Sequence, residues 1–475
     1  MEGGRCVQIY PNFGLGSGSV FRLGHARTCQ RAASDAAIQQ ELAAMRAQMQ
    51  QMTSRIDALE GQLVDARVRA EAAETKANAA SAALAAIPPA TAPSMTAKPA
   101  TDVTWDGAPK FATRDGWSFK PRGRMQLDIG TVNPPAALVS KDTGINTRLR
   151  RAYIGFDGTM PGNFGYRAEI DVAPSTVTVT DLFLTYKPNP KLTLTLGQQK
   201  PAWGMEELTS DLFTPFMERS SYMSAFGFER RVGLGASWVD KNFLVQGGIF
   251  ADDLASLTGS SNNSYSADGR VVFMPKLGEA QLHIGGSIHY RKLNDLTSSV
   301  TYSVRPFLRT SDLRLVNTGA ITGATAERGI GAEFAYARGR LHVSSESFWQ
   351  KVVRPGLVSP TFNGGYAEVG YMLTDDVTPY KNGQWERTRP KHPVGKGGMG
   401  AVQMNLRYDW LDLNSGAIVG GRQQIAGVSL IWMPTDYVRF LANYGHIWID
   451  DAAVPAGTLR TYNADAFGLR AQFDF

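Results

Sequence analysis

Phe119-Lys120-Pro121-Arg122-Gly123-Arg124-Met125-Gln126-Leu127-Asp128-Ile129 is the stretch that decides the fold. Phe119, Pro121, Gly123, Met125, Leu127 and Ile129 alternate with Lys120, Arg122, Arg124, Gln126 and Asp128, and a period of two puts the two sets on opposite faces of a β-strand. One face is greasy and the other charged. The pattern recurs in Tyr166 to Val172, with Arg167, Glu169 and Asp171 on the polar face, and in Val402 to Trp410, with Gln403, Asn405, Arg407 and Asp409. It also closes the chain, where Phe467, Leu469, Ala471, Phe473 and Phe475 oppose Gly468, Arg470, Gln472 and Asp474. A soluble sandwich turns its apolar faces inward and needs a turn every ~8–12 residues. An outer-membrane barrel turns them to lipid and its charged faces to a wet lumen. Charged faces, tight turns alternating with long loops, and a closing aromatic strand favour the barrel.

Extending the alternation predicts sixteen antiparallel strands, at 118–129, 146–157, 163–172, 180–187, 191–198, 229–239, 242–251, 265–274, 280–291, 327–337, 340–351, 362–373, 399–411, 422–433, 436–447 and 463–475. Short turns such as Lys187-Pro188-Asn189-Pro190-Lys191, Asp240-Lys241, Arg338-Gly339 and Pro434-Thr435 fall on one rim. Long loops at 130–145, 199–228, 252–264, 292–326, 412–421 and 448–462 fall on the other. Residues 374–398 break this order: they belong to the short-turn rim, so they hang below the barrel or fold into it. Tyr153, Tyr186, Trp238, Trp410, Trp432, Tyr437 and Trp448 lie near strand ends, as interfacial aromatic girdles do.

Composition fits this architecture. At 475 residues the chain exceeds one soluble core of roughly 250–300 residues, and it carries 49 Gly, 10% aromatic and 19% charged residues, the last below the ~25% norm. No run of 18 apolar residues is present, which excludes a helical membrane span. All but one unit of the net charge of +6 arises after residue 104, because ten basic and nine acidic residues precede that point. The arginines are dispersed among strands rather than gathered beside a nucleic-acid motif, so an anion-handling surface is expected and no nucleic-acid partner. Cys6 and Cys29 give neither a disulfide framework nor a metal site.

The N-terminal quarter reads differently. Residues 1–34 offer only a glycine-interrupted PNFGLGSGSVF where an exported chain carries an apolar stretch, and are unassigned. From Ile38 to Leu84 apolar residues recur at alternating spacings of four and three, a 3.5-residue period that specifies a coiled coil over 35–86. At 1.5 Å per residue the helix would run roughly 70 Å. Pro88, Pro89, Pro93 and Pro99 end it and make 87–104 an extended linker, leaving 105–475 for the barrel.

The chain resembles the phosphate-selective porin O and P family. The resemblance covers essentially all of 105–475 and is carried by Phe119 to Asp128, Leu149-Arg150-Arg151-Ala152-Tyr153-Ile154-Gly155-Phe156-Asp157-Gly158 and Gly197 to Ser210. Further on it is carried by Arg305-Pro306-Phe307, Val316-Asn317-Thr318-Gly319, Tyr371-Met372-Leu373-Thr374 and Leu406 to Leu413. It implies a homotrimeric, 16-stranded outer-membrane channel for phosphate-type anions, narrowed by inward-folded loops and lined by arginines, with the coiled coil in the periplasm. The expected partners are a second and third copy, outer-membrane lipids and small anions. Two rival functions remain open: a general or organic-solute porin, and a structural protein tethering the envelope to the cell wall through its coil.

An anion entering a narrow pore loses water, and guanidinium groups compensate with charge-assisted, bidentate hydrogen bonds. Several moderate sites in series serve conduction better than one tight site. By the resemblance, this ladder maps first onto Arg124 and the pair Arg150 and Arg151. Alternation adds Arg122 and admits only one of the pair to the lumen, Arg151 being favoured. Loop 199–228 stands where the family has its inward third loop and contributes Lys200, Arg219, Arg230 and Arg231 beside Glu206, Glu207 and Glu218. Loop 292–326 adds Arg305, Arg309 and Arg314; the anomalous turn adds Lys381, Arg387, Arg389, Lys391 and Lys396. The competing role for each arginine is a structural ion pair with a wall acid such as Asp128, Glu169 or Asp171. No catalytic, cofactor or metal constellation is expected. His25, His283, His289, His342, His392 and His446 lack metal spacing, His283 and His289 read as solvated wall residues, and Gly395 to Gly400 lacks a full P-loop pattern.

Overall fold

A computed structural model describes residues 101–138, 143–258, 262–297 and 299–475, together with isolated helical residues between Met45 and Thr75. Residues 1–34, most of the heptad stretch and the linker up to residue 100 lie outside the described residues.

Sixteen strands form the barrel: β1 (Ser118–Asn133), β2 (Gly144–Met160), β3 (Phe164–Asp171), β4 (Thr178–Asn189), β5 (Leu192–Gln199), β6 (Arg231–Asp240), β7 (Phe243–Phe250) and β8 (Tyr265–Phe273), then β9 (Ala280–Lys292), β10 (Ala326–Arg338), β11 (Leu341–Val353), β12 (Thr361–Met372), β13 (Ala401–Ser415), β14 (Ile418–Thr435), β15 (Val438–Asp450) and β16 (Tyr462–Asp474). Each pairs antiparallel with the next. β16 returns to β1, from Asp465 opposite Asn133 to Asp474 opposite Arg124. Closure leaves no unpaired barrel edge, which a lipid environment requires.

The inside-out pattern is explicit. Met125, Leu127, Ile129, Ile330, Phe334, Leu406, Phe467 and Leu469 are exposed, whereas Arg124, Gln126, Asp128, Glu333, Asn405, Arg407 and Arg470 are buried. Trp238, Trp432, Trp448 and Tyr186 face outward near strand ends. Tyr153 does not join that girdle: it faces the lumen, with the Arg124 guanidinium 4.6 Å above its ring.

Other boundaries also differ from expectation. Residues 412–421 are not a long loop, because β13 and β14 continue past the rim to a tight turn at Gly416 (φ 59°). The linker ends early: Thr101–Asp106 and Ala108–Thr113 form a hairpin that joins β1 through Phe111 opposite Phe119. Gly107 at its tip (φ 76°) lies against Tyr437, where a Cβ would come within 2.5 Å of the ring, so only glycine fits. No periodicity marked this hairpin, since its residues are exposed on both faces apart from Ala108 and half-buried neighbours.

Candidate functional site

Three segments fold into the lumen. Residues 200–230 leave β5, form short helices at Met205–Leu208 and Ser221–Ala225, and cross the barrel to the opposite wall. Wall side chains there accept the segment's backbone N–H groups: Glu346 takes those of Met205 and Glu206 at 2.9 and 2.7 Å, Asp409 that of Ser221 at 2.8 Å, and Asn443 that of Met217 at 2.7 Å. Buried donors without acceptors would cost about 1–3 kcal/mol each, so these acceptors fix the segment's path. Tyr222, Phe226 and Phe228 pack on Phe348 beneath it. Gly364 admits this packing, as a Cβ there would stand 2.6 Å from Tyr222.

The second segment, between β9 and β10, places Phe307 against Phe216 and buries Leu308. The third is the long turn 374–398, which folds inward as a small hairpin, Tyr380–Lys381 with Gln384–Trp385. Trp385 is buried against Met205 and Ala335, its backbone N–H donates to the Thr209 hydroxyl, and Arg270 donates to the Gly383 carbonyl at 2.8 Å. His283 and His289 are buried rather than solvated: His283 meets Tyr380 and Glu333, and His289 meets Asp268.

On the side formed by β16, β1 to β5 and the first two inward segments, ion pairs form three groups. Arg122, Arg124, Arg151, Arg167 and Arg230 share Asp157, Glu169, Asp181 and Asp211. Arg150, Arg309 and Arg470 share Glu218 and Asp128. Lys200 and Arg219 share Glu207. Each group holds one more cation than carboxylate.

Arg150 and Arg151 both face inward, correcting the expectation that only one could. Gln126 pairs with Arg151 and Leu127 with Leu149, so Arg150 is the extra residue of a β-bulge, and a bulge suspends strict alternation locally. Arg150 chelates Glu218 at 2.7 and 2.9 Å, and Arg151 meets Asp211 at 2.6 Å.

In the inward segments burial pushes carboxylates up, but neighbouring guanidiniums win. Arg151 and Arg124 hold Asp211 well below the ordinary range, and Arg150 and Arg470 do the same to Glu218. Burial and then Arg219 push Lys200 down to about 8, against the attraction of Glu207. Burial and Asp253 push Glu229 up.

Cavities lie along this side. One of about 680 Å³ is bordered by Arg150, Arg151, Arg230 and Arg309 with Glu207 and Glu218. Another, of about 410 Å³, is bordered by Arg122, Arg124, Lys200, Arg230, Arg387 and Arg389 with Asp181, Asp211 and Asp474. Arg230 belongs to both. A third, of about 320 Å³, brings Arg219, Arg305, Arg309, Arg314 and Arg407 around Glu218, Glu229 and Asp409.

Arg231 and Lys381 border none of these three cavities, and several residues that do are held by acids or carbonyls. Arg231 lies over Trp203 and faces Asp252 at 3.7 Å, and Lys381 is exposed on the inward hairpin. Arg305 pairs with Asp312, Arg314 donates to the carbonyls of Asp312 and Leu313, Arg387 binds Asp474, and Arg389 bridges Asp106 and Asp436. Arg167, Arg470 and Asp211 enter the network without having been singled out. Strand parity could have found the first two; Asp211 carries no local signal.

A closed barrel with a lipid-facing apolar band, a charged lumen and segments folded across it defines an outer-membrane channel. The chain belongs to the phosphate-selective porin O and P family, which matches residues 119–475. It is 40% identical over 450 residues to an uncharacterized protein of Caulobacter vibrioides, spanning 93% of this chain and 90% of that one. Among solved structures it is similar in fold to the outer-membrane expressed OmpT of Vibrio cholerae, at 11% identity and a TM-score of 0.50, covering 79% of this chain and 100% of that chain. An anion-selective porin from Comamonas acidovorans has 13% identity and a TM-score of 0.48, covering 76% of this chain and 100% of that chain.

Proposed function

We propose that the protein is an anion-preferring diffusion channel for small oxyanions of the phosphate and polyphosphate class. It would work as three barrels held by the heptad region 35–86 in the periplasm. The observation that carries the preference is the excess of one cation over carboxylate in each of the three groups along the lumen. The paired acids orient the guanidiniums and moderate their attraction, so an anion that exchanges water for Arg230, Arg151 or Arg309 can also leave. Arg230, which borders both the cavity of about 680 Å³ and that of about 410 Å³, would serve as the intermediate contact between them, with Lys200 on the second.

Reversal potentials of the purified channel in a KCl gradient test the preference. Chloride favoured over potassium is expected; equal permeability would point to a general porin and overturn the proposal. Phosphate block of chloride current tests the sites. Arg124→Ala with Arg151→Ala is expected to weaken block at least several-fold, whereas equal block in both proteins would remove these arginines from the pathway.

A further inference from the structure

We propose that Arg328 and Lys351, on the lipid-facing side of the barrel, dock the phosphate of a phosphorylated glycolipid of the outer leaflet. Arg328 of β10 stands directly opposite Lys351 of β11 and, on its other side, opposite Tyr290 of β9. Both cations are exposed, and among the described residues neither has an acid or a hydrogen-bond partner. Their parity matches exposed Ile330, Phe334 and Trp349, so they project with the apolar band away from the lumen.

This arrangement is unfavourable by itself. Like charges directly opposite across two strands destabilise the pairing, and a cation on the lipid face of a barrel is destabilising by an amount that grows with depth. Two other sites on the outward face have matched charges: Arg422 meets Asp412 at 3.0 Å and His446 meets Asp465 at 2.8 Å. The pair Arg328 and Lys351 therefore lacks a counter-charge that the chain supplies at other positions.

Position indicates where the counter-charge comes from. Arg328 is the third residue of β10, just after the long connection from β9, and Lys351 lies two residues before the end of β11. Both sit at the rim that carries the long loops, which faces the cell exterior. There a lipid phosphate can take charge-assisted hydrogen bonds from both cations, while Ile330 and Trp349, one step deeper in register, meet its acyl chains. A second copy of this chain would have to bring an acid other than Asp412 and Asp465, which already have cationic partners.

The test uses the full-length channel in detergent, native mass spectrometry, and bis-phosphorylated or dephosphorylated lipid A as probes. Wild type is expected to retain the bis-phosphorylated lipid about tenfold better than the dephosphorylated one, and Arg328→Gln with Lys351→Gln to abolish that difference. Unchanged single-channel conductance and heat-modifiable migration verify folding of the variant, and Arg328→Lys should restore most of the retention. Equal retention of both lipids by wild type, or an undiminished difference in the double variant, overturns the proposal. So does loss of retention in millimolar inorganic phosphate, which would make the site one for free phosphate, or a change in oligomeric state in the double variant without a change in lipid retention.

Discussion

Lys200 shows how burial and charge compete at a single residue. It follows β5, pairs with Glu207 at 3.1 Å and feels the Arg219 guanidinium on the same acid. Burial and Arg219 bring its amine down to about 8, from an ordinary value of 10.5. The ammonium is therefore charged below pH 8 and neutral above it, and the group around Glu207 then loses its excess cation. Anion-to-cation permeability is expected to fall between pH 7 and pH 9, while Lys200→Arg, whose guanidinium keeps its proton, stays flat; reversal potentials across that range decide it. The linkage has a stability sign as well. Between about pH 8 and pH 10 the unfolded chain binds the proton that the folded one has lost, so this residue makes the fold more stable as pH rises.

Elements set which charges reach the lumen. The bulge in β2 is the clearest case, because Leu149 opposite Leu127 and Arg151 opposite Gln126 already form the pairs on either side of Arg150. Deleting Arg150 is therefore expected to leave a regular, closed barrel with one lumen cation fewer: heat-modifiable migration unchanged, anion preference reduced. Glu346 illustrates the opposite dependence, of a segment on the wall. Glu346→Ala removes the acceptor of two helix N–H groups and of the Tyr366 hydroxyl, each orphan costing about 1–3 kcal/mol. The segment 200–230 is expected to detach, with larger and noisier single-channel conductance, whereas Glu346→Gln retains one acceptor oxygen and much of the native behaviour. These cases mark what was legible in the sequence. Period two locates strands and faces because the lipid and lumen environments differ so strongly. A bulge adds one residue with no compositional mark, and the side-chain acceptors that anchor the inward segment lie about 140 to 230 residues from the N–H groups they satisfy. The hairpin at 101–113 escaped for the converse reason, since no face of it is buried enough to impose a pattern.

At the scale of the whole molecule the lumen is electrically divided. The excess cations lie toward β16 and β1 to β5, while on the far side Glu206 of the inward segment and Glu368 of the wall flank the single guanidinium of Arg407. An ion in transit thus crosses a transverse field in addition to any site that binds it. The two contributions respond differently to salt, because a field acting across the lumen is screened over about 10 Å at 0.1 M but about 3 Å at 1 M, whereas direct hydrogen bonds from a guanidinium at contact distance are much less affected. Permeability ratios measured at constant tenfold gradients from low to molar KCl are therefore expected to decline as salt rises and level off above unity. The residual plateau reports contact with arginines such as Arg230 and Arg151. A decline to unity would assign the preference to the field alone, and a flat profile would assign it to the contact sites alone.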